Sequence, residues 1–250
     1  MFKLSTLRPP HGWPAVAWDL AIVTVGVLVA LVLQQWAEER SADAKTTEAL
    51  NGIRAEIANH YRSSIEWRVV EPCIVAQIDA LTTRVLESGA RLAPTPIQTE
   101  ADDFHFVLRT PSKEYPKSSW EAATNEGFVA RLEPSLRNEL TAYYAQIDEL
   151  NAMGRTNYYE TTGVNELGYP LPLDASTRYA IIHQLQDIRG LAEYHDTISG
   201  QLFDHMQKVR MIPPIGEARA LTQRYGTFRY CKAHHLPMRT LDQAMRSIPN

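Results

Sequence analysis

Two cysteines in 250 residues are too few for a disulfide-built scaffold or a four-cysteine zinc site. Positive charge is also short. The 25 Lys and Arg against 29 Asp and Glu leave a formal charge of −4, without the basic excess of a general nucleic-acid binder. No G-x-S-x-G, H-E-x-x-H, Walker A or G-x-G-x-x-G string occurs, so the common signatures of hydrolases, zinc proteases and nucleotide-binding folds are missing. Internal repeats, low-complexity tracts and alternating strand patterns are missing or nearly so. With 44% apolar and 22% charged residues, the composition is that of an ordered globular chain. The expectation left standing is a non-enzymatic protein of one or two domains, with no cofactor, no metal and no nucleic-acid partner.

What is present is one long apolar run. Residues 15–36 read AVAWDLAIVTVGVLVALVLQQW, with Asp19 the one charge among them. As a helix, 22 residues rise ~33 Å, about the thickness of a bilayer's hydrocarbon. Trp13 and Trp18 mark one end and Trp36 the other, where amphipathic rings settle at headgroup level. The exit, Leu33-Gln34-Gln35-Trp36, is too bulky for a signal-peptidase site. The run is therefore read as an uncleaved anchor in contact with a lipid bilayer. Lys3 and Arg8 precede it, and a mixed, slightly acidic stretch follows. The positive-inside bias puts residues 1–14 in the cytoplasm and the rest of the chain, in a bacterial inner membrane, in the periplasm.

Beyond the span, helical periodicity dominates. Leu50, Ile53, Ile57, His60, Ser64 and Trp67 form a stripe that continues from the membrane helix. Pro72 is expected to break or kink it and to open a second helix. Ile74, Ile78, Leu81 and Val85 carry that helix, with Gly89 as its C-cap. Residues 90–117 hold four prolines and predict a long surface loop, with a short extended piece at 104–108. Ser118 and Glu121 match a capping box for a short helix ending near Gly127. Pro134 opens a long helix through Leu136, Leu140, Tyr143, Ile147 and Leu150. Asp174 is a good N-cap for the last long helix. Its nine seam positions, from Ile181 to Val209, alternate strictly in steps of 4 and 3 and include His195 and Ser199. Pro213-Pro214 stops it, and a short helix near 217–225 and an irregular tail follow.

Four long one-faced helices must bury one another. The predicted fold is all-α: an N-terminal transmembrane helix continuing into an antiparallel four-helix-bundle-like domain. The boundaries are 1–14 tail, 15–36 span, 37–212 bundle and 213–250 helical tail packed on the bundle.

The string WDLAIVTVGVLVALVLQQWAEER, followed by LNGIRAEIANH, resembles the opening of a group of uncharacterised bacterial single-span inner-membrane proteins. They share an acidic residue before an I-V-x-x-x-G-V-L-x-A-L run. An E-I/L-x-x-N helix follows, here Glu56, Ile57 and Asn59. EPCIVAQIDAL and SSWEAATNEGFVARLEPSLRNELTAYYAQIDELN are similar as well, so the resemblance covers about half the chain. It implies a helical extracytoplasmic domain and carries no activity or functional residues.

Several residues are candidates for chemistry. In an oxidising compartment Cys73 and Cys231 pair most simply as a disulfide, worth roughly 4–5 kcal/mol in the chain-entropy model. Asp19, an ionisable group inside a span, is a functional candidate by default. Its place four residues into the run also suits an interfacial anchor favoured by the helix dipole. Gly26 and Ala30 form a small-xxx-small pair through which two spans could approach. Cys231, His234 and His235 carry soft and imidazole donors, but adjacent histidines on a regular helix do not face one ion. His195 reads as a hydrogen-bonded core histidine. Tyr143, Tyr144, Tyr158 and Tyr159 read as packing residues rather than a ligand cage.

The leading functional expectation is a membrane-anchored envelope protein whose helical domain binds another envelope protein, or which self-associates through its span. A large exposed apolar patch on the bundle would favour it. The alternatives are a ligand sensor, favoured by a pocket between helices with convergent polar groups, and an ion-motive-force-coupled subunit that depends on Asp19.

Overall fold

The computed structural model of the chain describes residues 13–99, 105–214 and 226–246. The predicted helix at 217–225 lies outside them. The fold is all-α. Helix α1 (Trp13–Glu87) is 75 residues long, ~110 Å at 1.5 Å per residue. Its N-terminal part is long and apolar enough to cross a membrane. All side chains of residues 16–41 are exposed, including Leu20, Val23, Leu28, Val32 and Trp36. A helix apolar all round and uncovered by protein needs a non-aqueous surrounding. Thr24, polar in mid-run, donates its hydroxyl to the Leu20 carbonyl at 2.8 Å.

The first buried residue of α1 is Ile53. From there Ile57, His60, Ser64, Trp67, Ile74, Ile78, Leu81 and Val85 are all buried, as the stripe predicts. The expected break at Pro72 does not occur: it lies inside α1. Proline lacks the N–H that would serve the carbonyl four residues back, that of Arg68. Arg239, from the C-terminal segment, replaces it. Its Nη1 donates to the Arg68 carbonyl at 3.0 Å, and its backbone N–H donates to the Val69 carbonyl at 3.0 Å. The same guanidinium meets the carboxylates of Asp196 and Glu71 at 2.5 and 2.8 Å. Cys73, the next residue, is bonded to Cys231 (S–S 2.07 Å), 158 positions away.

Where a surface loop with a short extended piece was expected over 90–117, the described residues 90–99 and 105–117 carry short strand pairs and a partly buried extended segment. A two-residue strand β1 (Arg91–Leu92) pairs with β4 (Leu171–Pro172), and β2 (Gln98–Thr99) pairs with β3 (His105–Phe106). The chain then returns along α1 in extended form, with Val107, Leu108 and Tyr115 buried. The Arg109 N–H donates to Gln77 Oε1, Lys113 pairs with Glu66 and the Ser119 N–H donates to Glu56 Oε2. Ten steps of extended chain at ~3.3 Å match 21 steps of helix at ~1.5 Å, ~33 against ~32 Å. The return segment thus occupies a bundle position that a helix was expected to fill.

Helix α2 (Ser118–Asn125) forms as expected and Gly127 follows in the left-handed region, but the capping box does not form. The Glu56 carboxylate, reaching over from α1, receives the α2 N-terminus instead. Pro134 opens α3 (Pro134–Gly163), with the Glu133 side chain accepting from the Ser135 and Leu136 N–H groups. Asp174 caps α4 (Ala175–Lys208) through the Thr177 N–H at 2.7 Å. Seven of its nine seam residues are buried, and Ile181 and Val209 at the ends are half-buried. Two short helices, α5 (Gly226–Ala233) and α6 (Leu241–Ala244), pack on α1 in place of an irregular tail.

Pairs such as Arg189–Asp79, His195–Trp67 and Phe203–Tyr61 make α4 antiparallel to α1. The bonds of Gln184 to Glu160 and of Gln146 to Gln201 make α3 antiparallel to α4. It follows that α3 runs parallel to α1, with the extended return between them in sequence. The long helices of the body are three, since those expected on either side of Pro72 are one. Nor does Gly89 cap α1. The Arg178 guanidinium does so, donating to the Val85, Leu86, Ser88 and Gly89 carbonyls.

Candidate functional site

A cavity of about 420 Å³ opens between the return segment and the C-terminal half of α3. Trp67 of α1 and His195 of α4 form its floor, with Tyr115 beside them. The rings of Trp67 and His195 stack at 4.0 Å. Ser112, Lys113 and Glu114 form one wall, and Asn151, Gly154, Arg155, Tyr158 and Tyr159 the other.

Each wall has a local cause. Asn151 grips the return segment through its amide, accepting from the Tyr115 N–H at 2.9 Å and donating to the Tyr115 carbonyl at 2.8 Å. This holds the segment one side chain away from α3. Gly154 then leaves the gap unfilled, since a Cβ built there would meet nothing within 4 Å. Glycine within a helix costs ~0.5–1 kcal/mol relative to alanine, and here no tight packing requires it.

The floor is buried and includes one imidazole. His195 is 3% exposed, and burial lowers its pKa to about 3, so the ring is neutral. Its Nδ1 lies 3.2 Å from Ser199 Oγ. That is the one side-chain hydrogen bond of His195 among the described residues, and the residue lines the cavity. Behind it, Ser64 Oγ donates to the Tyr115 hydroxyl at 3.4 Å. Burial also raises the Tyr115 pKa above its ordinary value.

A second polar cluster lies below. The Pro116 carbonyl can only accept, so His60 Nε2 must donate to it, which leaves Nδ1 to accept from the Tyr143 hydroxyl at 2.8 Å. Burial lowers the His60 pKa to about 4, in keeping with that neutral tautomer. Tyr144 donates its hydroxyl to Glu56 Oε1 at 2.6 Å. Every polar group here has an internal partner, so this cluster holds α1, α3 and α2 together and offers nothing to a ligand.

The sequence-level candidates separate. Tyr143 and Tyr144 are core residues, but Tyr158 and Tyr159 are 60% and 73% exposed and line the cavity mouth, which corrects their reading as packing. His195 is buried as expected and also borders the cavity. Cys231 is bonded to Cys73, and His234 packs on the Tyr230 ring at 4.3 Å, so the Cys231-His234-His235 trio does not converge. Asp19 stands exposed on α1, and Gly26 and Ala30 lie one turn apart on the same uncovered stretch. The sequence reasoning missed Lys113, Gly154, Arg155 and Arg239. Gly154 carried a usable signal, an isolated glycine inside a strongly periodic helix. The others carried none.

Comparison with known proteins adds no likeness: no family model, curated protein or solved structure matches the chain.

Proposed function

We propose that this chain is a membrane-anchored binding protein that holds a small ligand in the Trp67–His195 cavity. The observation that carries this reading is the combination at one place of a stacked Trp67–His195 pair at the back of a cavity and a helix glycine opening onto unfilled space. A cavity of this volume, lined by aromatic rings with a few polar groups, has the character of small-molecule sites. The body's exposed large apolar side chains are Leu86, Ile212 and five tyrosines among the described residues. They form no aliphatic patch of the kind that protein docking would favour, so the ligand reading stands ahead of the envelope-scaffold reading.

The proposal places the chain in a bacterial inner membrane, N-terminus in the cytoplasm and body in the periplasm. Lys3 and Arg8 ahead of the span support that orientation. A bonded cysteine pair in the body fits an oxidising compartment. Thiol labelling of intact cells with an impermeant reagent tests it. Labelling of both cysteines only after reduction supports a periplasmic body. Labelling that needs lysis but no reductant overturns it.

The cavity is tested by Gly154→Leu. The new side chain has room, so the full chain in detergent keeps its fold and its Tm does not fall. A thermal-shift panel of amino acids, amines, carboxylates and sugars is expected to stabilise the natural chain with at least one class and to leave Gly154→Leu unmoved. Equal responses from both proteins, or none from either, would overturn the reading.

A further inference from the structure

We infer that the cavity's ligand is a zwitterion with a flat apolar ring, of the class of free aromatic α-amino acids. This rests on the cavity reading above. The charged groups at the mouth are Lys113, Glu114 and Arg155. Lys113 is already engaged, 2.9 Å from the buried Glu66 carboxylate. Arg155 and Glu114 are different: both are exposed, and neither has an ion pair or side-chain hydrogen bond among the described residues. They stand on separate walls, Arg155 on α3 and Glu114 on the return segment. The mouth therefore offers one unspent cation and one unspent anion across a single opening. A ligand carrying only a carboxylate or only an amine would leave one of them unmatched and set its own charge beside a like one.

The interior asks for a ring. Trp67 and Tyr115 supply aromatic edges inside, and Tyr158 and Tyr159 add exposed rings at the mouth. His195, neutral in its buried setting, adds an uncharged imidazole that cannot neutralise a ligand's charge. A volume of about 420 Å³ is within the range of small-ligand pockets and too small for a folded partner.

The test compares L-phenylalanine, phenethylamine, 3-phenylpropanoate and L-alanine by calorimetry on the full chain in detergent. L-Phenylalanine should bind, the two single-charge analogues roughly tenfold more weakly or worse, and L-alanine not at all. Arg155→Gln should erase the advantage of phenylalanine over phenethylamine, and Glu114→Gln its advantage over 3-phenylpropanoate. Both are partnerless surface residues, so neither change threatens the fold. Single-charge analogues that bind as tightly as phenylalanine, yet lose binding in Gly154→Leu, would overturn the zwitterion and keep the cavity. No binding by any of the three ring compounds would overturn the inference. If the wider panel were also silent, the cavity reading would fall with it.

Discussion

Removal of Arg239 should show how a proline is carried in the middle of a 75-residue helix. Arg239→Ala deletes three charge-assisted contacts: Nη1 to the Arg68 carbonyl (3.0 Å), Nη1 to Asp196 (2.5 Å) and Nη2 to Glu71 (2.8 Å). Asp196 keeps Arg68 Nε at 3.4 Å, but Glu71 keeps no ion pair among the described residues. Burial already raises the Glu71 pKa against the pull of Arg239. Breaking a buried pair by removing one member costs ~3–5 kcal/mol. The Arg239 side chain is 29% exposed, which puts the loss at the lower end, about 3 kcal/mol. Urea unfolding of the full chain in detergent, followed by tryptophan fluorescence, measures it. The proline supplies the control. Pro72→Ala restores an N–H for the Arg68 carbonyl, so it should return about 1 kcal/mol more in the Arg239→Ala background than in the natural chain. The cycle cancels the helix-propensity difference common to both backgrounds. A loss below about 1 kcal/mol, or an equal gain from Pro72→Ala in both backgrounds, would refute this account of the proline.

Three further outcomes are expected. Both His60 and His195 are held neutral by burial, near 4 and 3, against ~6.5 unfolded. As pH falls the unfolded chain takes up protons first, so stability is full above about pH 6.5 and declines towards pH 4, by at most ~1.4 kcal/mol per unit for each ring. Urea midpoints at pH 7 and pH 5 should show this, and His195→Phe should flatten it. Reduction of Cys73–Cys231 opens a 158-position loop and should lower stability by about 5 kcal/mol in the chain-entropy model; an unchanged urea midpoint after reduction would contradict that. Arg178→Ala exposes four carbonyls at the end of α1 and should cost about 2 kcal/mol. Faster amide exchange confined to residues 84–92 would locate the loss.

Much of the fold is written in short-range patterns. The seam from Leu185 to Met206, the cap at Asp174, the helix start at Pro134 and the stripe from Ile53 to Val85 need only their own helix to be recognised, and each stands as its spacing predicts. The failures share a different cause. Pro72 carries a strong local signal to break, overridden by Arg239 from 167 positions away in sequence. Ser118 and Glu121 fit a local cap, but Glu56, 62 positions before Ser118, takes the role. Residues 107–117 lack any period because an extended strand pressed on a helix alternates neither cleanly with 2 nor with 3.6. The cavity was illegible for a related reason. Its walls come from α3 and the return segment and its floor from α1 and α4, and no stretch of sequence holds two of them together.

One rod joins the apolar N-terminal segment to the cavity floor. From Trp36 to Trp67 α1 climbs 31 residues without a hinge, ~46 Å at 1.5 Å each. No proline falls between Pro14 and Pro72. Any tilt or axial turn of the apolar segment is therefore delivered to Trp67 with its phase preserved, like a crank and its handle. Each residue added or removed between positions 37 and 45 would spin the body ~100° about the axis, while seven together would bring it almost back to its starting aspect. The azimuth of this domain relative to the apolar segment is thus set by a count of residues in a stretch whose side chains are nearly all exposed.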